Sequence, residues 1–241
     1  MKKRIDNRSN LDVRPISFEI NPQKFSDGSV IISTGDTKVL CSASIEEKIP
    51  KFLEGTGKGW ITAEYAMLPG SSNPRSPREN RNRGRSQEIS RLIGRSLRSA
   101  IELKHIGERS ISIDCDVLQA DGGTRTASIT GGYVALHFAL LKLIDTGIVS
   151  KDIILTNVAA TSIGIFNDQI LVDLCYEEDS KADADFNIVM AADQTIVEVQ
   201  GGAEAKRFSR NMVNTVLDAS ELAIKNLFKI QDSIISNYKT R

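Results

Sequence analysis

The strongest structural signal in the chain lies at residues 114–127, which read DCDVLQADGGTRTA. The first part continues an alternation of apolar and polar residues that begins at residue 110, a pattern typical of a strand with one buried face. The second part opens an apolar repeat of helical period that runs to residue 145. A strand is therefore predicted to pass through a Gly-Gly turn directly into a helix.

This turn is suited to binding an anion. Gly122 and Gly123 let the backbone approach a ligand closely and adopt positive φ. The start of a helix offers free N–H groups and a positive dipole end, while Thr124 adds a hydroxyl group and Arg125 a guanidinium that suits phosphate. The spacing matches neither a P-loop nor a dinucleotide-binding fingerprint. An ordinary glycine-rich turn is the alternative interpretation.

The remaining elements extend outward from this segment as two series of strands and helices. In the first series, strands are predicted at residues 29–33, 37–45, 60–66 and 110–118, and helices at 87–103 and 127–145. In the second series, hairpins are predicted at residues 153–165 with 169–176 and at 186–191 with 195–199, followed by a helix at 208–228 and a fraying tail from residue 231. This order predicts an α+β fold with two related halves, residues 1–150 and 151–241.

Charge is segregated along the chain although its total is zero, with 31 Lys and Arg residues against 31 Asp and Glu residues. Residues 75–98 hold eight arginines and two glutamates, and residues 173–193 hold seven acids and one lysine. Arginines suit a polyanion, and carboxylates suit a divalent metal, as phosphoryl transfer requires. Each run taken alone also fits a solvated surface.

Two further features extend the candidate site. Asp183 and Asp185 share a face if their segment is extended, and Asp179 can approach them through the turn. Such oxygen ligands suit Mg²⁺, and a solvated acidic loop is the alternative. Arg85 lies just before Ser86, a candidate N-cap of the first helix, where it can reach the same anion as the Gly-Gly turn.

Composition and pattern argue against several other classes of protein. Three distant cysteines and two histidines argue against a disulfide framework and a Cys/His zinc site, and favour a cytoplasmic location. No run approaches the roughly 20 apolar residues of a membrane span, and no apolar signal region follows the first residues. The loop at residues 69–86 has no aromatic side chains, so it is expected to contact a phosphate backbone rather than stacked bases.

Several strings of residues closely resemble the bacterial ribonuclease PH family. They lie at residues 35–41, 59–65, 88–89, 91–93, 114–127 and 178–180. The resemblance implies a fold of two βαβ-type halves with mixed sheets packed with helices, in a homo-hexamer built as a trimer of dimers. It implies a phosphorolytic 3′→5′ exoribonuclease that trims tRNA precursors, acts at other RNA 3′ ends such as those of rRNA, and works in reverse as a nucleotidyltransferase.

The same resemblance implies roles for individual residues. Inorganic phosphate, the co-substrate, would be bound by Arg85, Gly123, Thr124 and Arg125. Catalysis and the binding of Mg²⁺ or Mn²⁺ would fall to Asp179 and Asp185. RNA would be contacted by Arg75, Arg78 and Arg81 in the loop and by Arg91 on the basic face of the first helix. Gly70 and Gly202 depart from the family pattern, and each is expected to alter RNA affinity rather than abolish the chemistry.

Two rival functions remain open at this point. A hydrolytic, metal-dependent nuclease would need a denser set of carboxylates and would have no use for a phosphate site. A non-catalytic RNA-binding ring subunit would lack the phosphate-site arginines or the aspartates, and both are present here. A polynucleotide phosphorylase is disfavoured because 241 residues hold only one such core.

Overall fold

Two sheets and their helices make up the fold in the computed structural model, which describes residues 4–77 and 84–238. The strands are β1 (Ile16–Ile20), β2 (Gly28–Thr34), β3 (Thr37–Glu46), β4 (Trp60–Met67), β5 (Ser110–Gln119), β6 (Val158–Phe166), β7 (Gln169–Val172), β8 (Ala184–Ala191) and β9 (Ile196–Ala203). The helices are α1 (Gly84–Arg98), α2 (Thr124–Asp145), α3 (Tyr176–Asp179) and α4 (Arg210–Ser236).

The first sheet is mixed and the second is antiparallel. The first has the order β1-β2-β3-β5-β4, in which only β4 and β5 run parallel, and α1 forms the crossover between them. The second has the order β7-β6-β8-β9. The predicted α+β fold is confirmed, and its parallel βαβ crossover lies in the first half.

The central element is α2, which packs against β2, β3 and β5 of the first sheet and against β6 of the second. By length and hydropathy this helix alone, among those of the described chain, is a candidate membrane span. However, 78% of its most apolar window is buried inside the protein, so α2 is the core helix of a two-sheet fold.

Alternate residues of the second sheet serve two different cores. Val158 and Ala160 of β6 belong to the cluster around α2, whereas Ile163 and Ile165 of the same strand pack with the apolar face of α4. This follows from the two-residue period of a strand, which sends neighbouring side chains to opposite faces. The division of the chain after residue 150 remains a prediction.

The C-terminal tail differs from the prediction. Residues beyond 231 are helical and packed rather than frayed, since α4 continues to Ser236. The Nε2 of Gln231 donates to the carbonyl oxygens of Thr130 (3.1 Å) and Val158 (3.0 Å), and the ring of Tyr238 stacks on that of Phe138. These partners are distant in sequence, so the weak periodicity of the tail did not reveal them.

The open edge of β6 is covered by side chains. Because β7 pairs only with residues from Ile163 onward, the first residues of β6 have no strand on that side within the described chain. The Thr130 hydroxyl of α2 accepts from the Ala160 N–H (3.1 Å), and Gln231 donates to the Val158 carbonyl (3.0 Å). Two helices thus satisfy backbone groups that a strand would otherwise pair.

Three other parts of the secondary structure differ from the prediction. The strand β1 was missed, although its burial alternates, because its five residues precede the stronger signals. The helix α1 ends at Arg98 rather than Leu103, since Ile101 forms a β-bridge with Ile154. The helix α3 was also missed, since β7 was predicted to continue to residue 176 but ends at Val172, and a helical turn follows.

A buried polar cluster beside α2 makes the stability of the fold depend on pH. The Tyr133 hydroxyl donates to Asn157 Oδ1 (2.7 Å) and lies 3.2 Å from His137 Nδ1, and Asn157 in turn donates to Asp232 (2.7 Å). Burial lowers the pKa of His137 to about 4, despite the opposing charge of Asp232. His137 is therefore neutral in the folded protein at neutral pH.

Acid is expected to destabilise the fold through His137. The unfolded chain binds a proton near pH 6.5, whereas the folded chain binds it only near pH 4. The contribution of His137 to the free energy of unfolding has its full value above pH 6.5. It falls as the pH drops towards 4, by about 3 kcal/mol at most. Urea unfolding between pH 4 and 7 should show a shallower loss for His137→Gln than for wild type. His105→Gln, at an exposed histidine, is the control and should leave the slope unchanged; equal slopes for all three proteins would contradict the expectation.

Candidate active site

A cavity of ≈ 680 Å³ opens where the N-terminus of α2 faces α3 and the start of β8. The structure brings together in its wall the residues predicted for phosphate and for metal: Arg85, Gly123, Thr124, Arg125, Asp179 and Asp185. These residues come from separate segments between Arg85 and Asp185 that together span 101 positions of sequence. The fold therefore brings a basic group and an acidic group together in the wall of one cavity.

The Gly-Gly turn is held by close backbone contacts. Gly122 and Gly123 have φ of 72° and 65°, and a Cβ on Gly122 would lie 2.4 Å from the Leu174 carbonyl oxygen, so a side chain does not fit there. The Thr37 hydroxyl donates to the Gly122 carbonyl (2.6 Å) and accepts from the Asp121 N–H (3.0 Å). The turn thus presents the first N–H groups of α2, which have no acceptor within the helix, to the cavity.

The two side chains that open α2 are fixed by other elements. The Thr124 hydroxyl forms a 2.8 Å hydrogen bond with the hydroxyl of Tyr65, a buried residue of β4. The Arg125 side chain is 17% exposed, and its Nη1 donates to Gln200 Oε1 (3.1 Å) and Glu88 Oε1 (3.3 Å). Arg125 is therefore oriented by β9 and α1 before any ligand binds.

The acidic wall consists of a pair of carboxylates. Asp179 ends α3 and Asp185 is the second residue of β8. Partial burial, and next the negative charge of Asp185, raise the pKa of the Asp179 carboxyl, while Arg85 and Arg125 act in the opposite direction. The two carboxylates are thus close enough to repel each other, which a cation between them would relieve.

Two details of the predicted site change. Asp183 does not join the pair, because its carboxylate accepts from the Asn167 N–H (2.7 Å) at the β6–β7 turn. Arg85 lies within the first turn of α1 rather than before the helix, because α1 begins at Gly84. Both changes leave the phosphate and metal candidates in the cavity wall.

Several residues of the site were missed by the sequence analysis. Ser162 and Asn187 face each other across β6 and β8 and line the cavity, and Glu204 follows β9 at its edge. Gln200, which holds Arg125, lies in the β9 register opposite Asn187. The only sequence signal was strand alternation, which places every second residue of β8 on the face of Asp185.

The residues predicted for RNA binding lie around the cavity or outside the described chain. Arg75 is exposed in a segment whose neighbours Pro74 and Ser76 line the cavity, and Arg91 is exposed on α1. Arg78 and Arg81 lie outside the described residues. A Cβ added at Gly70 or Gly202 would meet nothing within 4 Å, so packing does not enforce these two departures from the family pattern.

The acidic pair by itself does not form a complete metal site. Among residues 4–77 and 84–238, no group of three or more His, Cys, Asp or Glu side chains is arranged to hold a metal ion. Mg²⁺ commonly binds through one or two carboxylates together with substrate phosphates and waters. Asp179 and Asp185 therefore fit a magnesium ion that is completed by substrate, and do not fit a metal held by protein side chains alone.

Comparison with known proteins places this geometry in a family. Residues 12–142 match the model of the 3′ exoribonuclease family, domain 1, and residues 156–223 match that of domain 2. The ribonuclease PH of Crocosphaera subtropica is 54% identical over 235 residues, which cover 97% of this chain and 98% of the relative. That of Bacillus cereus strain B4264 is 49% identical over 238 residues, 97% of either chain.

Solved structures with low sequence identity share the fold. An exosome of Archaeoglobus fulgidus with RNA bound to its active site matches with a TM-score of 0.80 at 22% identity, over 95% of this chain and 93% of that chain. Rice (Oryza sativa) Rrp46 matches with a TM-score of 0.79 at 18% identity, over 96% of this chain and 100% of that chain. The resemblance seen in the motifs is confirmed. Because both halves match their domain models and the relatives align from end to end, the chain belongs to the ribonuclease PH family of phosphate-dependent 3′→5′ exoribonucleases.

Proposed function

We propose that this enzyme trims the 3′ ends of tRNA precursors, with phosphate bound by Arg85, Gly123, Thr124 and Arg125 and with the scissile phosphodiester placed at Asp179 and Asp185. The observation that carries the proposal is that both groups of residues line one cavity. A phosphate anion and a phosphodiester must meet in this reaction, and the cavity offers a basic wall for the first and an acidic, metal-suited wall for the second.

The chemistry asks the protein for positioning rather than for a base. A phosphate oxygen attacks the last phosphodiester, the bond from phosphorus to the 3′ oxygen breaks, and the terminal nucleotide leaves as a nucleoside diphosphate. The nucleophile is already an oxyanion, so no proton has to be removed from it. This agrees with the described wall of the cavity, which contains no histidine. Arg85 and Arg125 offset the repulsion between the two anions that must approach each other.

The acidic pair would hold a magnesium ion beside the phosphodiester. Asp179 and Asp185 would hold Mg²⁺, or Mn²⁺, together with oxygens of the RNA. When bound, such an ion neutralises charge on the transferred phosphoryl group and on the leaving 3′ oxygen. The RNA backbone beyond the cavity would be contacted by Arg75, Arg78, Arg81 and Arg91.

The identity of the released nucleotide tests this function. The protein is incubated with a 3′-extended tRNA and Mg²⁺, with and without inorganic phosphate, and the products are resolved by chromatography. Nucleoside diphosphates that appear only with phosphate are expected. Monophosphates released without phosphate would indicate a hydrolase, and bound RNA without release would indicate a binding subunit; either result would contradict the proposal.

The contact between Gln200 and Arg125 yields a smaller prediction. Gln200→Ala removes the hydrogen bond that orients the guanidinium, so the KM for phosphate should rise by roughly fivefold, the equivalent of about 1 kcal/mol. The KM for RNA should stay the same. Gln169→Ala, at an exposed position of β7, is the control and should leave both constants unchanged. A phosphate KM equal to that of wild type would show that Gln200 does not orient Arg125.

Assembly and location belong to the same proposal. The resemblance to the family supports a homo-hexamer, built as a trimer of dimers, and sedimentation velocity would measure it; a monomer at micromolar concentration would contradict it. Three free cysteines are consistent with a reducing, cytoplasmic location.

A further inference from the structure

Arg14 contacts residues of the cavity wall without lining the cavity itself. Its side chain is only 3% exposed and forms an ion pair with Asp173, which lies just after β7. Its Nη2 and Nε donate to the two carboxylate oxygens at 2.8 and 3.0 Å, and its backbone N–H donates to the same carboxylate at 2.7 Å. Arg14 is therefore bound firmly to the second half of the chain.

The same guanidinium also reaches the first half. Its Nη1 donates to the carbonyl oxygen of Asp121 (2.5 Å) and Nη2 to that of Gly122 (3.4 Å), both in the Gly-Gly turn. A Cβ on Gly123 would lie 3.0 Å from Nη2, so the turn rests directly against the guanidinium. One planar group thus contacts both halves at the base of the cavity.

Each of these contacts leads directly to one group of site residues. The turn at Asp121 continues into α2, whose first residues are Thr124 and Arg125. The segment after Asp173 continues into α3, which ends at Asp179. A further hydrogen bond joins the same two segments, since the N–H of Tyr176 donates to Asp121 Oδ1 (3.0 Å). The Gly-Gly turn and the segment that leads to Asp179 are therefore joined at a junction with Arg14 at its centre.

We propose that Arg14 is a positioning residue, whose buried guanidinium sets the distance between the phosphate site and the acidic pair. This inference rests on the proposed phosphate site. An arginine is needed because its planar fork bonds a carboxylate and two carbonyl groups at once, whereas the single ammonium of a lysine satisfies the charge of Asp173 but does not span both walls.

Arg14→Lys tests the proposal, because it keeps the buried charge paired and removes the fork. For folded protein, matched by circular dichroism and thermal unfolding, the KM for phosphate should rise on the order of tenfold, since small misplacements of reacting groups are costly. The binding of RNA without phosphate should remain within about twofold of wild type. A general loss of folded protein would lower the apparent kcat and leave the phosphate KM unchanged, which separates positioning from simple destabilisation.

Arg8→Gln is the matched control. Arg8 also contacts Asp173, with its Nη1 3.5 Å from the carboxylate and its Nη2 donating to the carbonyl (3.1 Å), and its side chain is 9% exposed. Its contacts in the described chain do not include the Gly-Gly turn. The phosphate KM of Arg8→Gln should stay within about twofold of wild type. If Arg14→Lys does not fold, Asp173→Asn, which loosens the same junction from the other side, is judged by the same rise in phosphate KM.

Two results would overturn the inference: an unchanged phosphate KM in the folded junction variant, or an equal rise in Arg8→Gln. Arg125→Ala, measured in the same assay, separates this inference from the proposed function. If Arg125→Ala raises the phosphate KM and the junction variant does not, only the role of Arg14 is wrong. If Arg125→Ala leaves it unchanged, the phosphate site itself is wrong, and the role of Arg14 falls with it.

Discussion

Arg125→Ala is expected to raise the KM for phosphate and lower kcat/KM on the order of 100-fold, the cost typical of removing one preorganised donor to a reacting oxyanion. The guanidinium is held in place by Gln200 and Glu88, so it has no reorganisation to undergo when phosphate binds. The affinity for RNA without phosphate should be unaffected, since the arginines proposed to contact RNA are other residues. Phosphate titrations of the initial rate, with a 3′-extended tRNA, measure the effect.

Arg95→Ala is the control for this experiment. Arg95 also joins a helix to β9, through hydrogen bonds of 2.9 and 3.1 Å to Glu198, but it lies outside the cavity wall. Its removal should cost little stability, because the arginine is exposed, and should leave the phosphate KM at the wild-type value. A folded Arg125→Ala protein with a normal phosphate KM, or an equal rise for Arg95→Ala, would refute the assigned role of Arg125.

Asp185→Asn is expected to lower kcat by about 100-fold or more, with RNA still bound. The substitution keeps the size of the side chain and removes one negative charge from the pair formed by Asp179 and Asp185. It also removes the charge that helps to raise the pKa of Asp179, so the pKa of that carboxyl should fall in the variant. Single-turnover rates at saturating Mg²⁺ and phosphate measure the first effect, and carboxyl titration by NMR measures the second.

Asp183→Asn separates a loss of chemistry from a general change in local charge. Asp183 lies two residues away, outside the cavity wall, and asparagine can still accept from the Asn167 N–H. Its kcat should match that of wild type. Turnover of Asp185→Asn at the wild-type rate under saturating Mg²⁺ would show that the acidic pair does not act in the reaction.

The features that could be predicted from the sequence are those whose signal lies within one short segment. A run of 14 residues carried the alternation of β5, the Gly-Gly turn and the start of α2. The structure has all three, although α2 begins at Thr124, before the predicted start at residue 127. The candidate residues for phosphate and metal could be singled out from the sequence for a related reason. Glycines, arginines and clustered aspartates are chemically distinctive in themselves. That these residues line one cavity is visible only in the folded structure.

What the sequence analysis missed depends on partners far along the chain. Nothing in the local sequence distinguishes Gln200 from other strand residues, because its contact with Arg125 forms only in the folded chain. The same holds for Arg14, whose role depends on its buried ion pair with the distant Asp173. The end of α4 looked weak for the same reason, since Gln231 bonds to residues of α2 and β6. Tertiary contacts of this kind override local propensity.

The covered edge of β6 also bears on how the protein avoids sticking to other chains. An unpaired strand edge is a template onto which a foreign strand can add, and natural proteins block such edges with side chains or helices. Here the block depends on Gln231, near the end of the chain, and on one threonine of α2. We therefore expect the final turns of α4 to protect the protein from aggregation. A chain that lacked these turns would expose the unpaired edge of β6 while its active site stayed intact.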